Sequence, residues 1–205
     1  MMGVPDWYQQ DVSRETLERL DAFEALVIKW SQRINLISKR DLSQVSERHI
    51  WDSASMFPYI ADVATWVDLG SGGGFPGIVV AIMAKETQPK LKITLIESDA
   101  RKCTFLRTAI RELELRADVR TNRIETVTDI AADVISARAL ASLDVLLDLA
   151  APLGREHTKF LFPKGQSWKD EIDHAGRKWS FDLTAHSSHT NPNARLLELM
   201  NVRRK

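Results

Sequence analysis

Apolar residues recur at helical spacing through Leu17, Leu20, Phe23, Leu26, Val27, Trp30 and Ile34, which predicts an amphipathic helix over residues 13–34 with Ser13 as its N-cap. A second helical stretch is predicted over 42–59, carrying Val45, His49, Ile50, Ser53 and Phe57, with Pro58 limiting its continuation. Past Ile60 the texture changes. Trp66-Val67-Asp68-Leu69, Ile93-Thr94-Leu95-Ile96, Val134-Ile135-Ser136-Ala137 and Phe160-Leu161-Phe162 are short apolar runs, with a weaker strand at 117–121, and helical segments at 77–85, 100–113 and 142–151 lie between them. That alternation predicts an α/β fold: a mostly parallel sheet covered by helices, with right-handed crossovers. A last pair of runs, 181–184 and 196–202, flanks Asn191-Pro192-Asn193 and predicts an antiparallel hairpin closing the sheet edge. The expected organisation is an N-terminal helical extension over 1–62 and a sheet domain over 63–205.

The 205 residues are 44% hydrophobic and 27% charged, which excludes wholesale disorder, collagen-like sequence and a disulfide scaffold. Cys103 stands alone and has no disulfide partner, so it is expected in the core. The start Met1-Met2-Gly3-Val4-Pro5-Asp6 lacks signal-peptide regions, and no apolar run reaches the ~20 residues of a membrane span. The expectation is a cytoplasmic monomer that does not meet a membrane. Lys plus Arg and Asp plus Glu both total 28, yet the charge is uneven. Residues 101–123 hold seven bases against three acids, and residues 1–28 hold six acids against two bases. The first window, with Lys39-Arg40, Arg48 and Arg203-Arg204-Lys205, is a candidate surface for a polyanion. Five histidines and one cysteine show no zinc spacing, so no metal is expected.

The most informative stretch is Asp68-Leu69-Gly70-Ser71-Gly72-Gly73-Gly74-Phe75-Pro76-Gly77, set between a predicted strand and a predicted helix. Glycines there permit positive φ and close backbone approach, and the helix start offers unpaired N–H groups to a ligand. A P-loop is disfavoured because no Gly-Lys-Ser/Thr follows. A nicotinamide dinucleotide stays open: Gly72, Gly74 and Gly77 satisfy GxGxxG, and Glu97 lies where a ribose-binding acid is expected. Asp68, ahead of the loop, favours S-adenosylmethionine, whose amino and sulfonium groups are cationic and gain from a carboxylate reached directly or through water. At the next strand ends, Glu97 is expected to hold the ribose hydroxyls, and Ile124 with Glu125 to bracket the adenine. Arg138 could fork onto the cofactor carboxylate or an RNA phosphate, or donate to guanine O6. Lys164 is a candidate for phosphate. His49 and Asp52, three apart, should share a helix face, with a structural hydrogen bond between cap and sheet as their simplest role.

These residues carry a resemblance. Asn35-Leu36-Ile37-Ser38, His49-Ile50-Trp51-Asp52-Ser53, the glycine loop through Phe75-Pro76-Gly77, Ser136-Ala137-Arg138-Ala139-Leu140-Ala141-Ser142-Leu143 and Lys164-Gly165-Gln166 together resemble the RsmG (GidB) family of bacterial 16S rRNA guanine-N7 methyltransferases. The resemblance implies a class I methyltransferase (Rossmann-like) fold and action on a guanine of small-subunit rRNA near the decoding centre, in naked or assembling form. It also implies cofactor contacts at the positions of Gly70, Phe75, Ile124, Glu125 and Arg138. Several relatives have Asp where Glu97 stands, which keeps the carboxylate.

The chemistry agrees with that implication. Guanine N7 bears a lone pair and no proton, so its methylation needs positioning rather than a general base. Arg138 is expected to position the reacting end. A pyrimidine C5 methyltransferase needs a cysteine nucleophile near the fourth strand, and Cys103 lies elsewhere. The Asn/Asp-Pro-Pro-aromatic run of exocyclic adenine methylation is replaced here by Ser136-Ala137-Arg138-Ala139. The alternatives are an NAD-dependent oxidoreductase and a noncatalytic nucleotide-sensing RNA-binding module.

Overall fold

The computed structural model describes residues 2–60 and 63–205, and the expected boundary at 62 falls at the edge of what is described. Strands β1 (Thr65–Leu69), β2 (Lys92–Glu97), β3 (Ala117–Thr121), β4 (Ala132–Ala137), β5 (Gly154–Lys164), β6 (Trp179–Ser187) and β7 (Arg195–Arg204) form one sheet in the order β3-β2-β1-β4-β5-β7-β6. Strands β1 to β5 run parallel, whereas β7 pairs antiparallel with both β5 and β6. The alternation of runs and helices thus gives the expected sheet, and the final hairpin closes its edge. β1 is buried along Trp66-Val67-Asp68-Leu69, as a central parallel strand covered on both faces requires.

Helix α1 (Arg14–Ser31) is capped as expected, the Ser13 hydroxyl accepting from the Thr16 N–H at 3.0 Å. Its Leu20, Phe23 and Val27 enter the same core as Trp66, Ile93 and Leu95 of the sheet. A one-turn helix, α2 (Asp52–Ala54), lies in the extension, while α3 (Gly77–Thr87) and α4 (Ala100–Glu112) complete this layer. Helices α5 (Leu143–Ala150) and α6 (Trp168–Ala175) cover the other face, over Val67, Leu69, Ile135, Phe160 and Phe162. The result is three layers, helix on sheet on helix. Cys103 is fully buried, in line with a core role.

Two expectations are corrected. The helix predicted over 42–59 is broken into 3₁₀ turns at Lys39–Asp41 and Phe57–Tyr59, a π turn at Ser46–Trp51 and the single turn of α2. The Ser53 and Ser55 hydroxyls donate to the His49 and Asp52 carbonyls at 2.6 and 2.7 Å, competing with the backbone ladder, and Pro58 has no N–H to give. Helix α6 was not expected. It is eight residues long, and its apolar stripe is only three residues, Trp168, Ile172 and Ala175, of which Ala175 alone is fully buried.

Gly77 opens α3 where the helix meets β1 and β2. A Cβ there would overlap Leu95 Cδ2 and sit 2.9 Å from Asp68 Oδ2. Gly77→Ala is therefore expected to cost about 1–3 kcal/mol through overpacking, read as a lower urea midpoint with an unchanged m-value.

Candidate active site

The chain leaves β1 at Leu69, turns through residues 70–76 and enters α3 at the carboxyl ends of β1, β2 and β4, where the strand order reverses. Ligands of open α/β sheets bind at such a switch point. Gly70 has φ +63°, and a Cβ at this position would lie 2.7 Å from Leu140. The turn is pinned to β2: the Gly70 and Ser71 N–H groups donate to the Ile96 carbonyl at 2.8 and 3.2 Å.

Asp68 lies under this turn with no exposed surface. Its Oδ1 accepts from the Ser136 hydroxyl at 2.7 Å and its Oδ2 from the Gly77 N–H at 3.2 Å. Ser136 in turn accepts from the Trp66 indole N–H at 2.8 Å. Burial pushes the Asp68 carboxyl up to about 6, against the opposing effect of the hydrogen bonds from Ser136 and Gly77. Asp68, expected to supply a counter-charge directly or through water, here ties together β1, β4 and the start of α3.

Glu97, at the end of β2, is buried and aimed at the turn. Its Oε2 accepts from the Gly72 N–H at 3.0 Å, and its Oε1 from the Ser98 and Asp99 N–H groups at 2.7 and 2.8 Å. A carboxylate has about four lone-pair sites, so acceptor capacity remains. The Asn122 N–H donates to the Glu97 carbonyl at 3.2 Å, which joins the end of β3 to this group. Ile124 and Glu125 follow in a 3₁₀ turn, Ile124 half-buried and Glu125 exposed.

On the other side of the turn, Phe75 is buried between the extension and the sheet. Its ring lies 5.4 Å from Phe23, 5.1 Å from the His49 ring and 5.9 Å from the Arg138 guanidinium. Arg138 Nη2 donates to the Arg48 carbonyl at 2.7 Å and faces Asp52 at 3.5 Å, while Nη1 is buried without a hydrogen-bond partner. Asp52 also accepts from the Thr190 hydroxyl at 2.9 Å, which ties in the β6–β7 loop. His49 and Asp52 thus part company. Asp52 makes the link to the sheet domain, whereas both His49 ring nitrogens are buried without a hydrogen bond. A cleft of roughly 1910 Å³ opens beside them, lined among others by His49, Asp52, Arg138, Lys164 and Arg195.

A family model described as rRNA small subunit methyltransferase G matches residues 16–198. The chain belongs to this family. A relative named ribosomal RNA small subunit methyltransferase G from Ruegeria sp. (strain TM1040) is 46% identical over 194 residues, 95% of each chain. One of the same name from Bartonella henselae is 46% identical over 194 residues, covering 94% of this chain and 90% of its own. Among solved structures, a TehB-like SAM-dependent methyltransferase from Corynebacterium glutamicum aligns with TM-score 0.59 at 13% identity, over 86% of this chain and 98% of its own. A mutant of MtNAS in complex with S-adenosylmethionine also gives 0.59, at 12% identity over 91% and 76%. The fold shared with these structures is the expected class I methyltransferase fold.

In this member of the methyltransferase G family, Asp68, Gly70, Gly72, Gly74, Phe75, Glu97 and Arg138 converge on one turn, with Ile124 and Glu125 beside it. Lys164 is placed differently from expectation. Its side chain is 7% exposed, and Nζ donates to the Ala141 carbonyl at 2.7 Å and pairs with Glu171 at 2.8 Å. Glu171 also accepts from the Leu143 N–H at 2.9 Å, so the pair holds the β4–α5 loop beside Arg138 rather than offering a cation to phosphate. The basic stretch 101–123 is partly spent internally: Arg107 donates to Thr121 Oγ1 at 2.8 Å, Arg116 to the Pro89 carbonyl at 2.7 Å, and Arg120 pairs with Asp129 at 3.1 Å. Asp52 was expected to link cap and sheet, whereas Thr190, Ser136 and Glu171 carry no expectation for these contacts. The only sequence signal was the His49-Asp52 spacing, because each partner comes from a distant element.

Two outcomes follow. Lys164→Met leaves the Glu171 charge unpaired, and since a fifth of that side chain is exposed the cost should reach about 2–3 kcal/mol, below that of a fully buried pair, measured by urea unfolding. His49 is pushed down from 6.5 to about 4, by burial first and then by Arg138. The unfolded chain therefore takes its proton first, and stability present above pH 6.5 is lost as pH falls towards 4. The unfolding temperature of the wild type should fall more steeply across that window than that of His49→Gln.

Proposed function

We propose that this chain transfers a methyl group from S-adenosylmethionine to N7 of a guanine in 16S rRNA, releasing S-adenosylhomocysteine. The relatives, both ribosomal RNA small subunit methyltransferases by name, support methylation of small-subunit rRNA, and family membership favours the sulfonium donor over the dinucleotide that GxGxxG left open. The single observation that carries the fit is Arg138 Nη1, a buried donor without a partner at the carboxyl end of β4, beside the glycine turn. Such an atom is costly unless a ligand satisfies it.

S-adenosylmethionine supplies an electrophilic methyl group when bound. Glu97 keeps acceptor capacity for the ribose hydroxyls, and Ile124 with Glu125 flanks the adenine. Gly70, Gly72 and Gly74 bring the main chain close, with Phe75 closing the turn towards the extension. Arg138 then orients the reacting end. Asp68 serves this arrangement from below, by fixing the turn. N7 as the acceptor is supported by how the site's acids are employed: Asp68 is buried and hydrogen-bonded, and Glu97 accepts from three main-chain N–H groups. An acceptor atom that needs no general base suits such a site. Residues 1–62 and 63–205 act as one unit, because Arg138 of the latter is held by Arg48 and Asp52 of the former. On this reading the chain acts as a monomer, and an rRNA substrate is consistent with action in the cytoplasm. Among the described residues no helix is long and apolar enough to cross a membrane.

Calorimetry should show binding of S-adenosylhomocysteine and none of NAD. Labelled methyl should appear as N7-methylguanosine in 16S rRNA or its assembling particle, and Arg138→Gln should slow the transfer about 100-fold, the scale of a misplaced reacting group. Binding of S-adenosylhomocysteine with no transfer to either RNA form would leave a noncatalytic RNA-binding module, and NAD binding would restore the oxidoreductase.

A further inference from the structure

Arg138 Nη1 is not alone. Both ring nitrogens of His49 are buried without a hydrogen bond, and the nearest carboxylate oxygen, Asp41 Oδ2, stands 3.8 Å from Nε2, beyond hydrogen-bond reach. The two side chains flank one ring, Phe75, with the His49 ring centre at 5.1 Å and the Arg138 guanidinium at 5.9 Å. The π turn at Ser46–Trp51 carries His49, and a local π geometry frequently marks a functional position because it re-aims a side chain out of helical register. Each unsatisfied buried polar group costs about 1–3 kcal/mol, and because His49 and Arg138 line the same cleft, the two describe a place prepared for an acceptor.

We infer that His49 completes the cofactor site by donating a ring N–H to the carboxylate of the methionine moiety, alongside Arg138 Nη1. This rests on the cofactor reading above. The chemistry of the acceptor follows from the donors. A guanidinium N–H and an imidazole N–H suit an anion with two oxygens, and the cofactor has one such group, at the end opposite its adenine. The order of elements agrees: Glu97, Ile124 and Glu125 come from the β2 and β3 side of the turn, whereas Phe75, His49 and Arg138 lie towards β4 and the extension. A carbonyl oxygen such as guanine O6 could also accept from both donors, but a carboxylate offers two oxygens, one to each, and its negative charge answers the Arg138 guanidinium. The groups facing the imidazole are Asp41, Arg48, Arg138 and the Phe75 ring. Burial and the two arginines keep the imidazole neutral, so it acts as a hydrogen-bond donor and adds no charge of its own.

The test pairs a side-chain deletion with a ligand deletion. The full chain and its His49→Ala and His49→Gln variants are titrated calorimetrically with S-adenosylhomocysteine and with 5′-methylthioadenosine, which lacks the amino acid carboxylate. Affinity for S-adenosylhomocysteine should fall about tenfold in His49→Ala, which loses a charge-assisted hydrogen bond. It should recover at least partly in His49→Gln, which keeps an N–H donor, and affinity for 5′-methylthioadenosine should not move. In methyl transfer, KM for the donor should rise while KM for the RNA holds. Equal losses for both ligands, or none for either, would overturn the inference. So would a change confined to KM for the RNA, which would assign His49 to the target base. If His49→Ala fails to fold, the glutamine variant carries the comparison. Loss of recovery there, with 5′-methylthioadenosine binding weakened in step, counts against the inference. A wild-type chain that binds neither ligand brings down the cofactor reading itself, whereas wild-type binding with an indifferent His49 brings down only this step.

Discussion

The buried carboxylate of Asp68 is the constraint on which the site depends. It lies under the glycine turn with one oxygen held by Ser136 of β4 and the other by the first N–H of α3. Three elements that share no local sequence are thereby set in one arrangement, with the Trp66 indole extending the chain of hydrogen bonds through Ser136. A buried acid is tolerable only when its acceptors are met, and its raised pKa reflects the remaining penalty. What the protein gains is a turn whose main-chain groups are fixed before any ligand arrives. Preorganisation of this kind lowers the ordering cost of binding.

The second organising feature is the way the helical extension is bound into the sheet domain. Phe23 of α1 touches Phe75 at the end of the turn, and Arg138 reaches back to the Arg48 carbonyl and Asp52. The extension therefore works as a wall of the crevice, with its apolar side in the main core and its polar side at Arg138. This accounts for the irregular chain path from 39 to 59. A regular helix would keep its serines and His49 on helical register, whereas the observed turns send Asp52 towards Arg138 and Thr190 and His49 towards Phe75.

Much of the architecture was legible because local pattern and global fold agree. The apolar runs that became β1, β2 and β4 are central and covered on both faces, so their sequences are nearly continuous in hydrophobicity, and the stripe of α1 is set by one buried face. The glycine turn was legible for a covalent reason, since Gly70 adopts a backbone conformation that other residues rarely take and Gly77 leaves room only for hydrogen. Less was legible where partners are remote. Lys164 reads as a strand-end cation until Glu171 from α6 is placed beside it, and α6 is a two-turn helix whose stripe is the three residues Trp168, Ile172 and Ala175. For Asp68 the sequence gives its position on β1 but neither the depth at which that position lies nor its partners Ser136 and Gly77.

The contacts that finish the crevice also have an order in time. His189 stacks on Trp7 with ring centres 4.4 Å apart, and Thr190 bonds to Asp52, so the loop between β6 and β7 fastens the segment at Trp7 and the turn at Asp52. Residues more than a hundred positions apart in the chain must meet before this wall closes. On a chain emerging from the ribosome, the glycine turn and its flanking strands exist well before the final hairpin does. The crevice is thus completed only once the β6–β7 hairpin has been made, and a nascent chain lacking that hairpin would display the floor without its fastening.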